Sequence, residues 1–159
     1  MAPAAVRKSW AIANTLKYIS ESATEEDELF LYIASHGVEI SSVPYLLTAD
    51  TRMNVVKETA IDTNEVNDIL KASSARCVVR FFDACRSPFG IARTPAGRMS
   101  SVFEHALFAT ATGWATVSSC STGEYSYESG DFEQGVFSYY LCEGICGRAA
   151  NSKGLVRLS

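Results

Sequence analysis

The sequence predicts an α/β domain built on a mainly parallel sheet. Strand-like and helix-like patterns alternate along the chain, as they do in proteins assembled from βαβ units. A continuous apolar run of β-forming residues at 29–34, and a second run at 77–82 that Arg80 interrupts, are typical of strands covered on both faces. Each run leads directly into polar residues. Because open parallel sheets bind ligands beyond the carboxyl ends of their strands, we expect a functional site where these runs end.

Size and composition are those of one ordinary globular domain. The chain has 159 residues, of which 47% are hydrophobic and 20% charged. The net charge of −4 and the lack of a basic cluster argue against a nucleic-acid partner. No run approaches the ~18 apolar residues of a membrane span. The five cysteines, an odd number without a CxxC pair, indicate reduced thiols and a cytoplasmic location rather than a secreted disulfide scaffold.

The first half of the chain shows two helices and one strand. Helical spacing predicts an amphipathic helix over residues 5–20, with one apolar face formed by Val6, Trp10, Ala13, Leu16 and Ile19. An acidic connection at 21–28 leads to the strand at 29–34, and a loop with a short apolar piece at 45–47 follows. Asp62 or Thr63 caps the next helix, which has Glu65 in its first turn and an apolar face formed by Val66, Ile69 and Leu70.

The second half begins with the buried strand at 77–82. Residues 86–105 are polar and include Pro88 and Pro95, which predicts a loop. A further strand is expected at 114–119. Residues 135–147 predict a last helix that Gly147 ends.

A histidine and a cysteine stand where the two apolar strands end. His36 follows the first strand in "SHG", and Cys85 follows the second in "DACRS". If the strands are neighbours, both residues project into one crevice. A free thiol has a pKa of about 8.5, so a nucleophilic cysteine needs a base, and histidine can take its proton and return it to a leaving amine. Gly37 lets its N–H approach a substrate carbonyl, and the Cys85 N–H is a second oxyanion donor.

The sequence gives less support to other functions for its cysteine and histidine residues. Cys77, Cys120 and Cys142 are interpreted as inert apolar side chains, and His105 as structural or exposed. Cys142 and Cys146 are four apart on the predicted helix, but only two histidines are available to complete a metal site. A nucleotide-binding domain is not favoured, since neither GxGxxG nor GxxxxGK[ST] occurs.

The two motifs resemble those of the caspase family. "SHG" and "DACRS" place the histidine 49 positions before the cysteine (85 − 36), close to the spacing in that family. "YLLTAD" and "GVFSYYLCEGICG" are similar to segments of caspase-like and metacaspase-like domains. The resemblance covers roughly residues 5–150. It implies a cysteine endopeptidase with a Cys85–His36 dyad on a three-layer α/β/α sandwich with a mainly parallel sheet.

The resemblance also implies one domain, 1–159, in three parts. A large-subunit-like part at 5–85 carries the dyad, a loop spans 86–105, and a small-subunit-like part covers 106–150.

Substrate preference follows from the same resemblance. Asp83 stands where caspases carry glutamine, as in metacaspases and paracaspases, which cut after Arg or Lys. A partly buried carboxylate favours a cation and can pair with both arms of an arginine. Ser126, Tyr127 and Glu128 are the counterpart of the Ser-Trp-Arg segment that lines the caspase groove, so an acid replaces a base there. We expect a peptide or protein substrate with a basic P1 residue.

Two departures from the family pattern leave an alternative open. Ser35 precedes the histidine as in caspases, where metacaspases have glycine. Caspase-like domains begin with an apolar strand, whereas this sequence begins at the helix, so we expect the sheet to lack its first strand. The exposed edge would invite a second copy or a partner chain. The alternative is a catalytically inactive caspase-like domain that acts as a binding or regulatory module.

No cofactor is expected. By analogy with metacaspases, Asp50 is a candidate calcium ligand.

Overall fold

The computed structural model describes residues 8–86, 100–107, 113–120, 128–129 and 134–157. Its helices are α1 (Lys8–Ser22), α2 (Val56–Thr59), α3 (Thr63–Lys71), α4 (Ser101–Leu107) and α5 (Val136–Glu143), and a π-helical turn, Gly144–Arg148, follows α5. Its strands are β1 (Glu28–Ile40), β2 (Val43–Leu46), β3 (Ile61–Asp62), β4 (Cys77–Arg86), β5 (Trp114–Ser118), β6 (Glu128–Ser129) and β7 (Gln134–Gly135). In this part of the chain, no helix has both the length and the apolar character that crossing a membrane requires.

The main sheet has a parallel core and an antiparallel edge. Its strand order is β3-β2-β1-β4-β5, and β4 runs parallel to both β1 and β5. The short strands β2 and β3 are antiparallel to their neighbours. Strands β6 and β7 form a separate antiparallel pair. The mixed sheet, with its helices, confirms the predicted α/β class.

Helices lie on both faces of the sheet. Phe82 packs into the main core cluster together with Val66 and Leu70 of α3. The next residue, Asp83, points to the opposite face because successive strand residues alternate, and there it accepts a hydrogen bond from Ser138 of α5. This arrangement agrees with the expected three layers.

Local signals in the sequence correctly predicted the start of α3 and the break at Gly147, but not where the two main strands end. The Asp62 carboxylate accepts a hydrogen bond from the Asn64 N–H at 2.8 Å and caps α3 as expected. Strands β1 and β4 include the predicted runs but extend to Ile40 and Arg86, so His36 and Cys85 lie within the strands rather than after them as predicted. The last helical segment bends at Gly147, whose φ of 112° lies in the left-handed region that glycine tolerates.

The predicted inner face of α1 is wrong at two positions. Trp10 is 61% exposed and Ile19 is also exposed, whereas Ser9 and Ser20 are buried. Residues 9 and 20 are three helical turns apart and therefore share a face. Helix α1 contacts α3, and its Leu16 packs against the main core cluster, whereas Trp10 and Ile19 lie outward.

The polar loop predicted at 86–105 contains part of a helix. Residues 87–99 lie outside the described residues, but Ser101–Leu107 form α4. Ala106 of this helix is buried, and its carbonyl accepts a hydrogen bond from the Asn67 amide at 2.9 Å. The contact with α3 stabilises a helix that the polar pattern alone did not indicate.

Strand β1 was predicted to be buried on both faces, but one of its faces is exposed. Leu29, Leu31 and Ile33 are half-buried and pack against the main core cluster. On the other face, Phe30 is 68% exposed and Tyr32 is 49% exposed. An apolar run therefore identified the strand correctly but overestimated its burial.

Candidate active site

The two sequence motifs meet at the carboxyl ends of neighbouring parallel strands. In the register between β1 and β4, His36 stands opposite Cys85, and Ala34 stands opposite Asp83. The strands that carry the two motifs are therefore neighbours, as the prediction of a shared crevice required. The His36 side chain is exposed at this end of the sheet. The chemical roles of the two residues stay predictions.

Gly37 lies between two strands. It is buried, and its register partners are Arg86 on β4 and Leu46 on β2. The Leu47 N–H donates to the His36 carbonyl oxygen at 2.8 Å. The β1–β2 hairpin therefore fixes the backbone that carries the histidine. A role of the Gly37 N–H as an oxyanion donor stays a prediction.

Asp83 is buried and joined to both β1 and α5. The Ser138 hydroxyl donates to Asp83 Oδ2, and the Tyr32 hydroxyl lies 2.5 Å from Ser138 Oγ. Since a serine hydroxyl has one proton, Tyr32 is the donor in the second hydrogen bond. The chain Tyr32–Ser138–Asp83 therefore orients the carboxylate that sequence reasoning assigned to substrate recognition.

Sequence reasoning missed both hydroxyl residues. Tyr32 carried a signal, because it precedes His36 by four positions in one strand and so shares its face. Ser138 carried none, since it follows Asp83 by 55 residues and stands within an otherwise apolar helix.

Gly135 lies directly against the Asp83 carboxylate. A Cβ atom at this position would collide with Asp83 Oδ2, so only glycine fits without movement. Gly135 is the N-cap of α5, and on β7 it stands opposite Glu128 of β6. The backbone of Glu128 is thus one strand away from the residue that covers Asp83. Ser126 and Tyr127 lie outside the described residues.

The position of Asp83 suits a negative charge. The N-terminal end of a helix carries a partial positive charge, and both Gly135 and Ser138 belong to the start of α5. A carboxylate held there, two residues before Cys85, is placed at the same end of the sheet as the candidate dyad. Asp83 and His36 therefore lie on neighbouring strands, and the backbone of Cys85 stands opposite that of His36.

Asp50 ties the start of α1 to the loop after β2. Its Oδ2 accepts a hydrogen bond from the Lys8 N–H at 2.8 Å, and its Oδ1 accepts one from the Thr48 hydroxyl at 2.7 Å. The Lys8 N–H, followed by the Thr48 hydroxyl, holds the pKa of this carboxyl below its ordinary value. Across the described ranges, no group of three or more His, Cys, Asp or Glu side chains is arranged to hold a metal ion. The role of Asp50 as a calcium ligand stays a prediction.

Comparison with known proteins identifies the family. The model of the caspase domain matches residues 7–156, which include both motifs, Asp83 and α5. No curated protein matches the chain. The family match confirms the resemblance that the two motifs and their spacing indicated. The chain belongs to the caspase-domain family of cysteine peptidases.

Proposed function

We propose that the chain is a cysteine endopeptidase that cuts after Arg or Lys, with Cys85 as nucleophile and His36 as general base. One observation carries the proposal: the register of β1 and β4 sets His36 opposite Cys85 at the carboxyl ends of two parallel strands. Open parallel sheets bind their ligands beyond this end of the strands.

The reaction needs one proton carrier and one nucleophile. His36 takes the proton of the Cys85 thiol, and the thiolate attacks the carbonyl carbon of the scissile peptide bond. The N–H groups of Gly37 and Cys85 stabilise the oxyanion. When the C–N bond breaks, His36 returns the proton to the leaving amine. Water then attacks the thioester with His36 as base, which releases the acid and restores the thiol.

Two acidic residues of the described structure support a basic P1 residue. Asp83 is buried two residues before Cys85, and Glu128 stands opposite Gly135, which lies against Asp83. A carboxylate in a site with little water attracts a guanidinium or ammonium group and repels an aspartate side chain. Arginine is preferred over lysine where both carboxylate oxygens can be reached.

Hydrolysis of fluorogenic peptides with Arg, Lys or Asp at P1 tests the proposal. We expect cleavage after Arg and Lys, and a loss on the order of 10³-fold or more in kcat/KM for Cys85→Ala. The matched control is Cys142→Ala, which removes an exposed free thiol on α5 and should leave activity unchanged. Cleavage after Asp would overturn the proposed specificity for basic residues but would still support the catalytic roles of Cys85 and His36. Equal activity of Cys85→Ala and the native chain would overturn the dyad.

A non-catalytic binding module is the second candidate, and the exposed Phe30 and Tyr32 favour it. Uncovered aromatic residues on a sheet face are typical of a contact surface. If the folded chain cleaves none of the three peptides with or without calcium, this second function is the better one.

A cytoplasmic location is part of the same proposal. Cys77, Cys142 and Cys146 are free thiols, which suits a reducing compartment.

A further inference from the structure

We propose that Tyr32 and Ser138 are positioning residues for substrate recognition: they fix the plane of the Asp83 carboxylate and so make the site prefer Arg over Lys at P1. Both act through Asp83 rather than on the reacting atoms. This role rests on the proposed function, whose basic P1 residue it takes as given. Its signature is a change in the ratio between two substrates, not a general loss of activity.

A chain of hydrogen bonds ends at the Asp83 carboxylate. Ser138 of α5 donates to Asp83 Oδ2, and the Tyr32 hydroxyl donates to Ser138 Oγ. Ser138 and Asp83 are both buried, whereas Tyr32 is half-exposed. Hydrogen bonds are stronger where water is excluded, and a chain of them restricts the groups that it joins. The buried end of this chain is therefore the part best able to hold a fixed geometry.

Three elements of the fold meet at this chain. Asp83 belongs to β4 and stands opposite Ala34 of β1. Tyr32 precedes Ala34 by two residues, so its side chain shares with Asp83 the face of the sheet on which α5 lies. Ser138 comes from α5 itself. The hydroxyl groups of Tyr32 and Ser138 thus connect the Asp83 carboxylate both to the neighbouring strand and to the helix that covers it.

The Asp83 carboxylate needs such partners because its own torsion angle does not fix its plane. Rotation about the Cβ–Cγ bond of an aspartate has a broad energy profile. Ser138 donates to Oδ2, and Gly135 lies against the same oxygen because it has no Cβ. Both residues belong to the start of α5. These two contacts hold the plane of the carboxylate relative to the helix.

Tyr32 acts on the carboxylate through Ser138. A serine hydroxyl has a single proton and rotates to suit the acceptors around it. With Tyr32 as donor to Oγ, the one proton of Ser138 is directed to Asp83. Without the Tyr32 hydroxyl, Ser138 stays in place but its hydroxyl can rotate. We therefore expect the loss of the Tyr32 hydroxyl to act in the same direction as the loss of Ser138, with a smaller effect.

The orientation of a carboxylate matters to arginine more than to lysine. A guanidinium group is planar and bonds to both carboxylate oxygens only where the two planes match. An ammonium group is a point charge without this requirement. A carboxylate that rotates keeps its attraction for either cation but loses the second hydrogen bond to arginine. The ratio of Arg to Lys binding therefore reports the orientation of Asp83.

Fluorescence anisotropy of labelled peptides with Arg, Lys or Asp at P1 tests this role without catalysis, in the Cys85→Ala chain. We expect Ser138→Ala to weaken binding of the Arg peptide about tenfold and Tyr32→Phe about threefold, with less than about a twofold change for the Lys peptide. Ser138→Thr keeps a hydroxyl and should retain most of the Arg preference. The matched control is Tyr18→Phe, which removes the hydroxyl of an exposed tyrosine on α1 and should change neither affinity.

Circular dichroism checks that each variant is folded. Tyr32→Phe replaces a half-exposed residue by one of nearly the same shape, so it tests the role even if the buried Ser138→Ala does not fold. Unchanged Arg-to-Lys ratios in the folded variants would overturn the positioning role. Equal losses for the two peptides would also overturn it, because they would indicate a general structural effect.

Cleavage of the same peptides by chains that retain Cys85 separates this role from the proposed function. If the native chain cleaves after Arg but Tyr32→Phe keeps its Arg-to-Lys ratio of kcat/KM, the endopeptidase stands and the positioning role falls. If the native chain cleaves none of the peptides but the variants alter the ratio of binding as expected, the positioning role stands and the endopeptidase falls. An Arg peptide that binds no better than the Asp peptide would overturn the positioning role together with the basic P1 preference.

Discussion

Among single residues, Arg80 on β4 shows how strongly this core depends on specific partners. Its side chain is fully buried, and Nη1 donates to Asn67 Oδ1 at 2.6 Å. Nε donates to the Thr116 hydroxyl at 3.0 Å, and the guanidinium lies 4.6 Å from the ring centroid of Trp114. Burial lowers the pKa of Arg80 to about 10, so the group is still charged at neutral pH. A buried charge is tolerated only while its partners remain.

Asn67→Ala should therefore destabilise the protein. The substitution removes one acceptor from the Arg80 guanidinium and the donor to the Ala106 carbonyl. We expect a loss of about 2–3 kcal/mol in the free energy of unfolding, measured by urea denaturation. Asn64→Ala, on the exposed side of the same helix, is the control and should change stability by less than ~0.5 kcal/mol. Equal midpoints for the two variants would contradict the role of Asn67.

Gly135→Ala should destabilise the folded protein for a purely steric reason. Gly135 has φ −59° and ψ 139°, which alanine adopts freely, but the new Cβ would collide with Asp83. We expect a loss of about 1–3 kcal/mol in the free energy of unfolding. Gly144→Ala is the control, since its Cβ would meet only the Ala149 Cβ at 3.5 Å.

A double-mutant cycle attributes the cost of Gly135→Ala to the carboxylate. In an Asp83→Ala background, Gly135→Ala should cost much less. If it costs the same in both backgrounds, the collision with Asp83 is not the cause.

At the scale of elements, α1 is held partly by a hydrogen bond from outside the helix. Asp50 accepts the Lys8 N–H, one of the backbone donors that the first turn of a helix leaves unpaired. Asp50→Asn should lower the thermal midpoint at neutral pH. Because the folded-state pKa of Asp50 is below the ordinary value of 3.8, its stabilisation is complete above that pH and is lost as the pH falls through the folded-state pKa.

Thermal unfolding of both proteins from neutral pH into the acid range measures this dependence. The difference between native chain and variant should narrow in acid, while Asp68→Asn, an exposed carboxylate on α3, should show little difference at any pH. A difference that stays constant down to the lowest pH would rule out the Asp50 carboxylate as its source.

Elements with a local signal could be predicted, and elements set by contacts could not. The Asp62 cap of α3 and the existence of strand β4 depend on residues that are adjacent in the sequence. Both predictions are confirmed. α4 depends on the contact between Asn67 and Ala106, which are 39 positions apart. The inward face of α1 depends on how closely α3 approaches, and helical periodicity carries no information on that distance.

The candidate site also has one part that the sequence could predict and another that it could not. The positions of His36 and Cys85 at two strand ends were visible in the sequence, and the register agrees. The hydroxyl chain from Tyr32 through Ser138 to Asp83 was not, because its members come from two strands and a distant helix. Residue type and spacing can indicate which groups react, whereas the contacts that orient them arise from tertiary packing.

For the whole molecule, the parallel core is what brings the candidate site together. β1 and β4 come from separate segments, with β2, α2, β3 and α3 between them. Each strand contributes one residue of the candidate dyad, so the two residues come together only when the strands pair. The caspase-domain match covers this whole arrangement, residues 7–156, rather than the two motifs alone.

That topology also determines the order in which the molecule can be assembled. The β1–β2 hairpin closes a short loop, and hairpins form in about 1–10 μs. The pairing of β1 with β4 must close a much longer loop before any contact offsets its entropy, and folding dominated by such non-local pairing takes milliseconds to seconds. A newly synthesised chain therefore keeps its candidate nucleophile and base apart until the intervening segment has folded. Assembly of the candidate dyad and folding of the sheet are thus a single event.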